Sequence, residues 1–488
     1  MAKIKFGAII LSLFLNLNFG LYCSGQNAEM GKALQSFVEK SGVKNSQVFV
    51  SVKQLEEGSD EVVFNAQKNF VPASTLKLFY TLAAYDQLGS DFIFETKLFY
   101  SGQLLPDGSL EGDIVIEASG DPCFAADRLN KEGLSGTLDL FYEQIVSKGI
   151  TCIDGDLVMI LPFEAYPVSG TWPWEDLGNY YASGAWGFNF NENTYKIVFD
   201  SPKSTNEACP VREISPILKY LKLNNMVRSG TPDSGDQAFI LGDPYGFYRT
   251  IIGSIPSKKG NFSIKGSIPN PPLNFLDLLA RKLESGGVNV SNVQIQNKYS
   301  QKLQAISVHK SPSLESIVKA CNDYSINLYA EALGKSLLKR NGLRLNGNYP
   351  SEEIWEFIFK EYGVNADKVK ILDACGLSPA NLISADVMTS FLTVMGKRIG
   401  VQKLIEILPE AGRDGNARFF LRGKSSQDHI WLKSGSVKNV LNYTGVFQNI
   451  HSSKYYAFAI ASNNNIVPAV QIKTEIERFL DQLIQLSE

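Results

Sequence analysis

Alternation and periodicity divide the chain into recognisable pieces. Gln47 to Val52 and Glu61 to Asn65 read as short strands on either side of a polar turn, Glu56-Glu57-Gly58-Ser59. Pro72-Ala-Ser74 then introduces a helical run, Thr75 to Leu88, stopped by Gly89, with Leu76, Phe79, Leu82 and Ala83 at core-facing spacing. From about Phe99 to Lys298 the texture changes. Short β-like runs such as Gly112 to Glu117, Gly155 to Ile160 and Lys196 to Asp200 alternate with Gly, Pro, Asp and Asn turns. Helical patterns return at Leu314 to Ala320, Ser325 to Arg340 and Glu352 to Glu361. The chain ends in strands at Trp431 to Ser436, Thr444 to Gln448 and Tyr455 to Ser462. A last amphipathic helix follows, its stripe made by Ile472, Ile476, Phe479, Leu480 and Leu483. No tandem repeat interrupts this order. The pattern predicts one α/β domain, residues 26–98 and 299–488, interrupted by a β-rich insertion over 99–298.

Composition sharpens this picture in a few places. A chain of 488 residues exceeds one ordinary core, and 44% hydrophobic with 20% charged residues describes a globular protein. The net charge of −3 leaves no footprint of nucleic-acid binding. Lys3 and Lys5 precede an almost continuous apolar run, Phe6 to Leu15, and small or polar residues follow through Gly25. This is the pattern of a secretory signal over residues 1–25, so the mature chain is expected to be exported and periplasmic, with peripheral membrane contact compatible. Cys23 raises a lipid anchor as an alternative. Against it stands Tyr22, bulky where lipoprotein signals carry a small residue. The six cysteines show no C-x-x-C spacing, so neither a zinc site nor a redox motif is indicated. Mostly buried small hydrophobes, with one disulfide at most, is the expectation for them.

Three strings carry candidate chemistry: Ser74-Thr-Leu-Lys77, Ser325-Ile-Asn327 and Lys433-Ser434-Gly435. None of His309, His429 and His451 has a triad context, so a serine nucleophile here would use lysine as its base. Each string alone is cheap. S-x-x-K recurs at Ser41, Ser307, Ser316 and Ser336, S-x-N at Ser204 and Ser462, and K-S-G at Lys40. Context separates them: Ser74 opens an apolar helix, Ser325 adjoins a helical run, and Lys433 lies on a strand followed by another.

Further strings run in the same order over nearly the whole chain. They include Val71-Pro-Ala-Ser74, Gly120-Asp-Pro122, Trp172-Pro-Trp-Glu-Asp176, Asn189-Phe-Asn-Glu-Asn193, Asp323-Tyr-Ser325, Gly376-Leu-Ser378 and Leu408-Pro-Glu-Ala-Gly412. Together they resemble the D-alanyl-D-alanine carboxypeptidase/endopeptidase family typified by penicillin-binding protein 4 (serine peptidase family S13). The resemblance implies a transpeptidase/β-lactamase-like fold with a large insertion, acting on peptidoglycan stem peptides and acylated by β-lactams, without metal or organic cofactor.

On that resemblance Ser74 is the nucleophile, Lys77 its base and Ser325 a proton relay. Asn327 would bind the substrate's peptide group, Lys433 and Ser434 its terminal carboxylate. The backbone N–H groups of Ser74 and Ser436 would form the oxyanion hole. Asp176 would reach the diamino-acid side chain, its alternative reading being an ordinary loop acid beside exposed tryptophans. The family's Asp-Gly-Ser-Gly-Leu-Ser-Arg appears here as Asp373-Ala-Cys-Gly-Leu-Ser-Pro379. Pro379, where the family carries arginine, therefore puts recognition of a second carboxylate in doubt, and Cys375 in place of serine would reshape the pocket floor. Two other readings stay open: a same-fold peptidase or esterase on other D-amino-acid peptides, and a non-catalytic wall-binding scaffold.

Overall fold

A computed structural model describes residues 28–40, 42–163, 167–343, 360–363 and 365–486. The signal-like segment with Cys23, and almost all of the helix expected over Glu352 to Glu361, lie outside the described residues. The chain forms two compact units. The first comprises Met1–Asp86, Val318–Ser325 and Ser351–Glu488, the second Gln87–Ile317 and Ile326–Pro350.

In the first unit an antiparallel sheet runs in the order Asp60–Phe64, Gln47–Gln54, Tyr455–Asn463, Val440–Gln448, Ile430–Val437. The strand near the N-terminus thus pairs with the last strand of the chain, from Gln47 opposite Asn463 to Gln54 opposite Tyr456. Alternation decides what covers each face. Val48, Val50 and Val52 join a core with Met30, Leu34 and Phe37 of the helix Ala28–Val38 and Ile472, Ile476 and Phe479 of the helix Ala469–Gln485. Phe37 stacks on Phe479 with ring centroids 4.9 Å apart. The intervening Ser51 points the other way, its hydroxyl 2.7 Å from that of Thr389 on the helix Ala385–Ile399. Phe391 of that helix in turn stacks on Phe79, at 4.2 Å. This ties the helix Lys77–Leu88 to the same face.

The second unit contains a mixed sheet in the order Val293–Gln296, Leu157–Ile160, Ile114–Glu117, Glu95–Ser101, Leu303–Lys310. Smaller sheets surround it, among them Val211–Ser215, Thr194–Ser201 and Gly260–Ser267, and the strand Tyr248–Pro256 with its neighbours. The unit begins at residue 87 rather than 99 because Glu95–Ser101 already pairs with Leu303–Lys310 inside its sheet. It also holds two 15-residue helices, Gly133–Ser147 and Pro271–Ser285, where the sequence pattern predicted strands and turns alone. Their signals were legible: Leu134, Leu138, Phe141 and Ile145 recur at helical spacing. Asn270 caps the second helix through Leu273 N–H, with prolines at its first turn.

All five described cysteines are outside disulfides, four of them buried. No helix among the described residues is long and apolar enough to cross a membrane.

Candidate active site

Ser74 does not open an α-helix. It lies in a 3-10 turn, Ala73–Leu76, from which the α-helix continues at Lys77. In a 3-10 turn side chains three apart eclipse, and this places the Lys77 amine 2.7 Å from Ser74 Oγ. Lys77 is fully buried, and its amine also donates to the Cys375 carbonyl at 2.6 Å. That carbonyl is fixed by a tight loop. The Asp373 carboxylate accepts from Gly376 N–H (2.7 Å), Ser378 N–H (2.6 Å) and the Asn381 amide (2.8 Å). The departure from the family pattern at Cys375 therefore leaves intact the atom that matters, which is backbone.

The segment ahead of Ser74 is clamped by the sheet. Asn442 donates to the carbonyls of Val71 (2.8 Å) and Pro72 (3.0 Å), and Asn463 accepts from Val71 N–H at 2.8 Å. Ala73 is held at φ +48°, a left-handed conformation that costs a residue with a Cβ. Gly435, opposite Asn442 in the register, has to be glycine. A Cβ there would come within 2.7 Å of Pro72 O and 3.1 Å of Ser74 N.

The second pair forms where two helices break. Leu314–Tyr324 ends, Ser325 turns to φ +57°, and Asn327–Arg340 begins, where the sequence pattern expected one run from Ser325. The turn brings Ser325 Oγ to 2.8 Å from the Lys433 amine, which also donates to Ser434 O at 2.8 Å. Lys433 is 1% exposed. Burial, and secondly the charge of Lys77, push its pKa well below the ordinary lysine value, with Cys321 and Asp323 acting weakly the other way. Its amine thus lies between Ser325 Oγ and Ser434 O. The hydroxyls of Ser434, half-buried, and Ser436, exposed, make no hydrogen bond among the described residues.

Ile430–Val437 is the edge strand of its sheet. Leu432 N–H donates outward to Pro409 O at 2.8 Å. By the two-residue period, the N–H groups of Ser434 and Ser436 face the same open edge.

Asn327 and Asp176 belong to the second unit. Asn327 does not cap its helix; its side-chain amide donates to Tyr181 O at 2.6 Å. Tyr181 OH donates to Asp176 Oδ1 at 2.8 Å. Burial raises the Asp176 pKa, the Tyr181 hydrogen bond works against this, and Glu175 adds to the rise. Of the neighbouring tryptophans only Trp174 is exposed; Trp172 is buried. Asn442, Asn463 and Asp373 escaped the sequence reading because they act on backbone, and polar residues on a strand or loop announce no partner.

The family model described as "D-Ala-D-Ala carboxypeptidase 3 (S13) family" matches residues 30–483. A curated relative, D-alanyl-D-alanine carboxypeptidase DacB of Haemophilus influenzae, is 23% identical over 414 residues, covering 84% of each chain. The crystal structure of penicillin binding protein 4 (dacB) from Haemophilus influenzae superposes with a TM-score of 0.78 at 21% identity, covering 93% of this chain and 99% of that one. That protein has also been solved with a β-lactam. A predatory peptidoglycan endopeptidase from Bdellovibrio bacteriovorus gives a TM-score of 0.52 at 16% identity, over 90% of this chain and 92% of that one.

Proposed function

We propose a function from one premise: this chain belongs to the D-Ala-D-Ala carboxypeptidase 3 (S13) family, and its buried lysines equip Ser74 as the acylated residue. The substrate is a peptidoglycan stem peptide ending in D-Ala-D-Ala. The observation that carries the reading is the contact between the fully buried Lys77 amine and Ser74 Oγ, at 2.7 Å.

In this reading a neutral Lys77 takes the Ser74 proton as Oγ attacks the carbonyl carbon of the penultimate D-alanine. Its other contact, Cys375 O, keeps the lone pair aimed at the serine. The developing oxyanion meets the N–H groups of Ser74 and Ser436; each such donor supplies about 2.7–4 kcal/mol of transition-state stabilisation. The departing D-alanine amine receives its proton from Ser325 Oγ, and the proton that Lys77 took from Ser74 passes by way of Lys433 to restore Ser325, so that both amines are again free to act as bases. Water then hydrolyses the acyl-enzyme and restores the hydroxyl. The terminal carboxylate is met by the Ser434 hydroxyl beside the Lys433 amine. A β-lactam acylates the same oxygen.

Cleavage of cross-links belongs to the same proposal. It is supported by the structural likeness to a protein described as a peptidoglycan endopeptidase. So does export through the signal-like residues 1–25, since the substrate lies outside the cytoplasmic membrane.

Labelling with a fluorescent penicillin and release of D-alanine from defined muropeptides test the reading together. Wild type should be labelled and Ser74→Ala not. Lys77→Met should acylate about 10²–10⁴-fold more slowly, the usual worth of a general base. A folded wild type that takes no label would sink it, and a labelled Ser74→Ala would move the nucleophile elsewhere.

A further inference from the structure

Another charged group, Arg249, is buried in the second unit, and the proposed reaction makes no use of it. In the strand Tyr248–Pro256 exposure alternates, Tyr248 out, Arg249 in, Ile251 in, so Arg249 occupies a core-facing position. Its side chain is 0% exposed. Nη1 donates to Gly246 O (2.6 Å) and Tyr248 O (3.3 Å). Nε and Nη2 are buried with no partner. Among the described residues no carboxylate forms an ion pair with it. Asp243 acts on it only from a distance, its own carboxylate accepting from the N–H groups of Tyr245 (2.9 Å) and Gly246 (2.6 Å).

A guanidinium cannot escape this situation by releasing its proton. Native interiors rarely leave buried donors unmet, and a buried charge without a counter-charge is more costly still. The two unmet donors are also the matching pair: Nε–H and Nη2–H form the side-on fork that receives an anion with two parallel hydrogen bonds.

A third unmet group accompanies them. The Tyr195 hydroxyl is buried without a partner and lies within electrostatic reach of the same guanidinium. The fold makes room for both side chains. A Cβ on Gly242 would stand 2.7 Å from Arg249 Cδ and Nη1, and one on Gly266 would stand 2.6 Å from Tyr195 Oη.

We propose that Arg249 holds a small monovalent anion, a halide or a carboxylate of formate size, on its Nε and Nη2 groups, with the Tyr195 hydroxyl as a further donor. The anion neutralises the buried charge and fastens the 242–249 turn to the core of the second unit. The inference does not depend on the reaction proposed for Ser74.

Thermal melting of the whole protein tests it, in sodium gluconate at constant ionic strength, with gluconate replaced stepwise by chloride, bromide or formate. Wild type should gain a saturable rise of roughly 2–4 °C. The arm that saturates at the lower concentration distinguishes halide from carboxylate. Arg249→Met should lose the response. Should that variant fail to fold, Tyr195→Phe carries the test, its saturation midpoint moving several-fold higher. A bromide-soaked crystal should show an anomalous peak against Nε and Nη2. Melting that ignores the anion, equal responses in wild type and both variants, or a water with no anomalous signal at Arg249, would overturn the proposal.

Discussion

An amine must be neutral before it can take a proton from a serine, and two buried amines that feel each other cannot both stay charged cheaply. Burial, and secondly the charge of Lys77, push the Lys433 pKa well below the ordinary lysine value. Acylation of wild type by a fluorescent penicillin should therefore rise with pH along a limb well below the ordinary lysine range. Lys433→Arg, which cannot deprotonate, should remove that limb and slow acylation; an unchanged profile would exclude Lys433 from the proton path. The same shift acts on folding with a definite sign. Between the depressed folded pKa and the ordinary value of 10.5 the unfolded chain binds a proton that the folded chain refuses, so stability rises as pH climbs through that window. Lys433→Met should flatten the dependence and melt no lower than wild type at pH 7, while losing activity. The two pairs found here, Ser74 with Lys77 and Ser325 with Lys433, were legible in the sequence as the residues of the three strings. The partner that orients Lys77 was not. It is the carbonyl of Cys375, and a backbone oxygen has no letter of its own.

Among elements, the edge strand Ile430–Val437 does most to shape the site. It carries Lys433, presents outward N–H groups, and passes so close to the 3-10 turn at Ser74 that position 435 admits no side chain. Gly435→Ala should push strand and turn apart by a few tenths of an ångström. We expect a stability loss of about 1–3 kcal/mol in denaturant titration and a larger proportional loss of acylation rate; acylation at the wild-type rate would show the turn to be tolerant of displacement. The strand itself was readable from its alternation, as were the flanking strands and the final helix. The separation of the runs ending at Ala320 and starting at Ser325 was readable too, but not the left-handed turn of Ser325 itself, because no Gly or Pro beside it marks the one residue held at φ +57°. The helices Gly133–Ser147 and Pro271–Ser285 were overlooked for a different reason. The first opens with Gly-Leu-Ser-Gly-Thr, where two glycines, Ser and Thr outweigh one good helix former and the apolar stripe behind them decides the outcome.

Over the whole chain, the first unit is assembled from segments far apart in sequence, and its core joins the two ends. Phe479, 1% exposed and stacked on Phe37, is the measure of that closure. Phe479→Ala should cost about 3–5 kcal/mol in equilibrium unfolding, and a loss below about 1 kcal/mol would show that the terminal helices do not share a core. The order of strands could not be read from local pattern, since no short window reveals that Gln47–Gln54 will lie beside Tyr455–Asn463. That pairing has a consequence for the timing of activity. Synthesis delivers Ser74 and Lys77 early. The parts that arm them, Lys433, Gly435, Asn442 and Asn463, arrive only with the closing segment of the chain. A nascent or truncated polypeptide therefore carries its nucleophile without a clamp or a second amine. On the mechanism proposed for Ser74, acylation waits for the strand Tyr455–Asn463 to dock beside Gln47–Gln54.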